Sequence, residues 1–315
     1  MKYENVAKQR YLDMLETACG PKIMAFFNDP NIIEIMLNPN GELFVERLSE
    51  GKVATGINIP LAQSENIIKL VASYKNQVIH AKSPMIATDI PFLGARFQGW
   101  IPPVVAQPTF AIRKRATQIF NLDLYIQKKI LSPKQAEYLR EAVLTRKNII
   151  ITGGTGSGKT TFANALLDVL TGTTERILVL EDLPELQILA EDIVTLNTSE
   201  TVSMRDLVKG SLRMRPDRII VGEVRDGAAL ELLKAWNTGH PGGICTLHAN
   251  SVESTPYRLE DLIREASVSI PHYLITEAID IVVFIERLKD GSRRVRDIGT
   301  LKTEHSGQYH FTRVL

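Results

Sequence analysis

The residues Gly153 Gly154 Thr155 Gly156 Ser157 Gly158 Lys159 Thr160 Thr161 combine four glycines with a lysine and four hydroxyl side chains in an order that suits phosphate chemistry. Glycines let the backbone curl until several N–H groups point inward at phosphate oxygens, and a following helix N-terminus adds positive potential. Lys159 is spaced to reach the β and γ phosphates, and the Thr160 hydroxyl to ligate Mg²⁺. An apolar run from Asn148 to Thr152 precedes the segment and an apolar-periodic one from Phe162 to Leu170 follows it, so the motif lies between a strand and a helix. That context predicts a nucleotide site using ATP and Mg²⁺.

Candidate partners for this loop follow other apolar runs. Arg176 to Leu180 ends in Glu181 Asp182 Leu183 Pro184 Glu185, and Arg218 to Val221 ends in Gly222 Glu223. One carboxylate in such a site can hold Mg²⁺ while another orients the attacking water. Gly243 to Leu247 ends in His248, whose position alone fits equally a γ-phosphate contact and a structural ring satisfied by backbone. Arg213, Arg215 and Arg218 crowd the start of the Glu223 run, and Arg113, Lys114 and Arg115 form a second basic cluster upstream. Arginines of either group could stabilise transition-state charge or simply be solvated.

Positioning these residues requires two kinds of architecture. Between Asn31 and Arg115 short β-type runs (Ile32 to Met36, Leu43 to Glu46, Thr109 to Ile112) alternate with turns, and the spacing of Ile67, Leu70, Val71 and Tyr74 predicts a helix over Gln63 to Lys75. Ser132 Pro133 Lys134 Gln135 reads as a capped helix start. Strand and helix patterns then alternate through Ser203 to Met214, Asp226 to Trp236 and Gly243 to Leu247. This predicts an α/β domain with a mainly parallel sheet over residues 126–315, preceded by a smaller α+β domain over residues 1–125. Ligands of such sheets bind beyond the carboxyl ends of the strands, where the polar residues above should converge. The tail, with a run from Ile281 to Ile285 and a turn at Asp290 Gly291, should extend the sheet or form a hairpin.

Composition narrows the alternatives. The 315 residues carry a formal net charge of +1, which gives no basic field for direct DNA binding. The two cysteines, Cys19 and Cys245, are too far apart for a zinc motif and fit a reducing compartment, so the cytoplasm is expected. The first twenty residues are interrupted by charges, unlike a secretory signal; Tyr3, Val6, Leu12 and Leu15 could line the buried side of a helix. No apolar run reaches the length of a membrane span.

Taken in order, the Gly153 to Thr161 loop, the acidic box Glu181 to Glu185, the run Leu212 to Asp226 and the segment Thr238 to Asn250 resemble the secretion ATPase superfamily of type II and type IV secretion and pilus systems, and within it the VirB11-like, conjugal-transfer branch. The resemblance implies a RecA-like C-terminal domain, a homo-hexameric ring, and nucleotide held between the two domains with arginines supplied by the first. Carried over by position, Lys159 and Thr160 take the phosphate and Mg²⁺ roles and Glu223 the second acidic motif. Glu181 takes the water-activating role, His248 the histidine box, and Arg113 and Arg115 the basic positions of the first domain. Expected partners are other type IV secretion ATPases and inner-membrane channel subunits, with peripheral membrane association through them. The chain lacks the tetracysteine zinc element of type II and pilus relatives. A pilus or type II secretion motor and a nucleotide-switched docking scaffold are the competing readings.

Overall fold

The computed structural model describes residues 2–47, 50–90, 93–114, 121–269, 271–303 and 308–315, and the side chains of residues 2–8 are not included. The chain divides into two compact units, Met1–Gln118 and Ile119–Leu315.

The first unit begins with α1 (Lys2–Asn28), broken where Gly20 takes a left-handed φ of 70° ahead of Pro21, whose ring cannot continue the preceding turn. There follow β1 (Ile32–Leu37), β2 (Glu42–Arg47), β3 (Gly51–Asn58), α2 (Leu61–Tyr74), β4 (Met85–Ile90), β5 (Ala95–Trp100) and β6 (Thr109–Lys114). The strands form an antiparallel sheet in the order β3-β2-β1-β6-β5-β4. One sheet face, with Ile35, Val45, Phe97 and Ile112, packs with the buried residues of α1 and α2 in one apolar core. The buried stripe of α1 runs through Tyr11, Leu15 and Ala18, leaving Leu12 half-buried. On α2 it passes through Ile67, Ile68, Val71 and Ala72, so Tyr74 lies off the expected stripe.

The register sets a row of charges across all six strands of this sheet. Lys52 faces Glu46, Glu46 faces Glu34, Glu34 faces Arg113, Arg113 faces Arg96, and Arg96 faces Asp89. Burial raises the Glu34 carboxyl above its usual value, Arg113 opposes that shift and Glu46 adds to it.

The second unit contains α3 (Leu122–Gln127), α4 (Pro133–Leu144), β7 (Ile149–Thr152), α5 (Lys159–Leu167), β8 (Arg176–Glu181), β9 (Asp192–Asn197), α6 (Met204–Ser211), β10 (Arg218–Val224) and α7 (Ala228–Asn237). These are followed by β11 (Ile244–Leu247), α8 (Ser254–Arg264), α9 (His272–Ala278), β12 (Ile281–Arg287), β13 (Arg293–Thr303) and β14 (Tyr309–Arg313). The anticipated capping box opens α4: Gln135 N–H donates to Ser132 Oγ (3.2 Å) and Ser132 N–H to Gln135 Oε1 (2.9 Å), a device that stabilises a helix start by about 1 kcal/mol.

The sheet order is β14-β13-β12-β7-β11-β10-β8-β9, parallel from β12 to β9 and antiparallel through β13 and β14. The mainly parallel α/β domain read from the strand–helix alternation is therefore present, and the tail both joins the sheet and turns back as a hairpin. Strands β7 and β11 are buried at every residue, as expected of a sheet covered on both faces. Parallel pairing brings the carboxyl ends of β7, β8, β10, β11 and β12 to one edge of the sheet.

Candidate nucleotide-binding site

The loop leaves β7 at Gly153, where space is set by the neighbouring strand. A Cβ there would lie 2.2 Å from the Ile285 carbonyl oxygen and 2.7 Å from Ser157 Oγ, so any side chain would displace β12. Gly158, at φ 96°, occupies the left-handed region immediately before α5. The first helical bond runs from Phe162 N–H to the Gly158 carbonyl (2.9 Å). Phe162 is fully buried with its ring edge-on to Tyr125 at 5.1 Å, which fixes the helix behind the loop. Gly154, Thr155 and Gly156 form the exposed crest, with Thr160 and Thr161 half-buried at the helix start.

Lys159 is 7% exposed, and its Nζ donates to the carbonyls of Gly153 (3.1 Å) and Gly154 (3.0 Å). The same ammonium lies 3.3 Å from Nδ1 and 3.4 Å from Nε2 of His248, which follows β11. His248 Nε2 in turn is 2.8 Å from Glu223 Oε1. This is an approach in distance alone: Glu223 Oε1 is buried and makes no hydrogen bond among the described residues. Glu223 is aimed by an irregularity between β10 and β11: Val221 pairs with Cys245 and Val224 with Leu247, so one extra residue is accommodated on β10 at Gly222–Glu223. Thr246 Oγ donates to the carbonyl of Gly222 (2.6 Å) and holds that irregularity.

Arg225 closes the far side. Its Nε donates to Glu223 Oε2 (2.6 Å), and its Nη1 is 3.5 Å from Asp182 Oδ2. Glu223 therefore sits between an imidazole and a guanidinium. Glu181 is used differently: it is 2% exposed, and its Oε1 accepts the N–H groups of Glu185 and Leu186 (both 2.9 Å). Asn164 of α5 binds the same segment, donating to the Glu185 carbonyl (3.2 Å) and accepting from Gln187 N–H (2.8 Å). The acidic box is thus a loop folded around Glu181 and tied to the phosphate-loop helix.

The basic clusters have separate fates. Arg218 lies at the start of β10, at the opposite end of the strand from Glu223. It is 2% exposed, pairs with Glu175 and donates to the carbonyl of Val143 (2.9 Å), a packing role. Arg215 sits in the left-handed turn just before that strand. Arg113 belongs to the charge row of the first unit, and Arg115 lies outside the described residues. Gly243 of the Thr238 to Asn250 segment is a packing position, since a Cβ there would overlap the Trp236 ring. Sequence reasoning missed three arginines beside the loop or its carboxylates: Arg225, Arg287 and Arg293. Arg225 had a signal, standing two residues after Glu223; the other two are brought near only by the pairing of β12 with β7.

The residues fit a nucleotide with Mg²⁺. The cradle before α5 is one that a side chain at Gly153 would fill, and the hydroxyls of Thr152 and Ser157, both buried at its base, have no hydrogen-bond partner among the described residues. Among those residues no group of three or more His, Cys, Asp or Glu side chains could hold a metal. Mg²⁺ commonly takes one or two protein ligands and completes its shell with phosphate oxygens and water, which Thr160 and Glu223 suit.

Fold and loop define a RecA-like P-loop protein. Residues 90–310 match the family described as type II/IV secretion system protein, and the chain belongs to that family. It is 46% identical over 302 residues to the conjugal transfer protein TrbB of Rhizobium radiobacter, covering 95% of this chain and 93% of that one. To the type IV secretion system protein VirB11 of Bartonella quintana it is 30% identical over 323 residues, covering 88% and 90%. In fold it resembles the Legionella pneumophila ATPase DotB, with a TM-score of 0.60 at 20% identity over 98% of this chain and 79% of that one. The resemblance to VirB11-like secretion ATPases expected from the motifs is met.

Proposed function

We propose that this chain is the ATP-hydrolysing motor of a conjugative type IV secretion system, coupling turnover to pilus assembly or substrate transfer. The observation that carries the chemistry is the continuous set of contacts from Lys159 through His248 to Glu223 at the carboxyl edge of the sheet. The system-level reading rests on the similarity to TrbB and VirB11.

In this reading Lys159 exchanges its two loop carbonyls for phosphate oxygens, and the loop N–H groups and α5 N-terminus hold the rest of the polyphosphate. Thr160 would help to hold Mg²⁺, which would supply charge neutralisation at the phosphates. Glu223 orients the attacking water and accepts its proton, with Arg225 holding one carboxylate oxygen and His248 standing beside the other. Glu181 keeps the acidic-box loop in place, which makes Glu223 the better candidate for the base. Arg113 is retained as a phosphate contact on the family resemblance. The same resemblance supports a homo-hexamer that works with other secretion ATPases and channel subunits at the cytoplasmic face of the inner membrane. Among the described residues no helix is long and apolar enough to cross a membrane.

The system-level test is deletion of the gene in a donor cell, followed by complementation with wild type or Glu223→Gln. Transfer restored by wild type alone supports the proposal. Normal transfer in the deletion, with loss of pilus retraction instead, would assign the motor to a pilus.

A further inference from the structure

The terminal hairpin carries two arginines to the phosphate loop from the side opposite His248 and Glu223. Strand β7 lies between β11, which delivers His248, and β12, whose Phe284 is in register with Thr152. Residues after Phe284 therefore run alongside the loop: the Ile285 carbonyl abuts Gly153, and Ile285 Cδ1 is 4.0 Å from where a Cβ of Gly158 would be. That same Cβ position is 3.1 Å from Arg293 Cδ and 3.2 Å from Arg293 Nε, and a Cβ on Gly156 would be 3.8 Å from Arg287 Nη1.

Arg287 and Arg293 are also direct cross-strand partners flanking the turn that joins β12 to β13. The pair is held on built structure: Ile285 is fully buried, and Val295 N–H donates to the Ile130 carbonyl (2.9 Å), anchoring β13 two residues from Arg293.

We infer that Arg287 and Arg293 form a cationic wall of the nucleotide site, supplied by the same chain, that grips the diphosphate common to ATP and ADP. The inference rests on the nucleotide reading above and deepens it by dividing the site. Glu223 and His248 act at the γ-phosphate end from the β10–β11 side, whereas the hairpin arginines hold the part of the ligand that survives hydrolysis. Product affinity, and with it the rate of ADP release, is then set by the terminal hairpin.

The experiment is titration of a fluorescent ADP analogue into the purified full chain, comparing wild type, Lys159→Ala, Arg287→Met, Arg293→Met and Arg293→Lys. Melting of each variant without nucleotide separates binding from folding. Loss of one charge-assisted contact is expected to weaken ADP roughly 10- to 100-fold in each methionine variant. Arg293→Lys should fall between, since an ammonium keeps the charge but not the fork geometry. Should Arg293→Met fail to fold, Arg287→Met, on an exposed residue, and Arg293→Lys still decide the matter. Affinities within twofold of wild type in the folded arginine variants, with binding lost in Lys159→Ala, would overturn the inference and leave the nucleotide site standing. A wild-type chain that binds no ADP would overturn the nucleotide reading itself, and this inference with it.

Discussion

His248 Nε2 stands 2.8 Å from Glu223 Oε1, and the other nitrogen of that ring is 3.3 Å from the ammonium of Lys159. One imidazole thus links the strand that carries the proposed base to the loop that carries the phosphate-binding lysine. The carboxylate is placed by the β10 irregularity and by Arg225, and the ring stands between it and the lysine.

His248→Ala should therefore impair turnover more than binding. A loss of roughly 100-fold in kcat is expected, in the range for a misplaced general base, with ADP affinity within about threefold of wild type. Steady-state phosphate release and ADP titration check it; weakened ADP binding with unchanged kcat would show that the ring serves ground-state binding instead.

Two adjacent glycines of the loop should respond in opposite ways. A Cβ at Gly153 meets the Ile285 carbonyl at 2.2 Å, whereas one at Gly154 meets nothing within 4 Å. Gly153→Ala is expected to cost about 1–3 kcal/mol, as overpacking does, while Gly154→Ala stays near neutral. Urea unfolding of both variants measures this difference; equal stabilities would contradict the close approach of β12 to the loop.

Much of this was readable from local sequence. The loop, its flanking strand and helix, the Ser132–Gln135 cap and the carboxylates at the ends of β8 and β10 all depend on residues within a few positions of one another. What stayed hidden depends on pairing between distant strands. The charge row from Lys52 to Asp89 exists only through register, and Arg287 and Arg293 reach the loop only because β12 lies beside β7. Strand β9 escaped notice because it is an edge strand whose alternating exposure gives no continuous apolar run. Glu181 stands at the expected strand end, yet its occupation by the N–H groups of Glu185 and Leu186 follows from how the next loop folds back.

An acid-sensitive clasp lies at the other end of the sheet. Burial acts to raise the Glu175 carboxyl, but hydrogen bonds from Arg218 and Arg146 outweigh it and hold the group below its usual 4.5. A folded-state value lower than the unfolded one contributes stability that is fully present above about pH 4.5 and is lost as pH falls through the depressed value. Glu175→Gln should remove that acid limb from the melting profile. At neutral pH it should cost about 3 kcal/mol, because buried Arg218 loses its carboxylate. Melting temperatures from pH 3 to 7 test both; an unchanged acid slope in the variant would contradict the assignment.

Neither cysteine should behave as a reactive thiol. Burial pushes Cys19 up to about 12, and burial together with the charge of Glu223 raises Cys245. A thiol reagent at pH 8 is expected to label neither in the folded chain and both in denaturant. Rapid labelling of native protein would show that one of these core positions opens.

The loop ending in Lys159 and Thr160 is expected to hydrolyse ATP within a ring. The direct measurement is phosphate release across a size-exclusion profile of purified chain, wild type beside Lys159→Ala, with Mg²⁺ and ATP supplied. Turnover is expected to concentrate in a ring-sized peak and to be abolished by the substitution. Equal turnover in Lys159→Ala and wild type would contradict it.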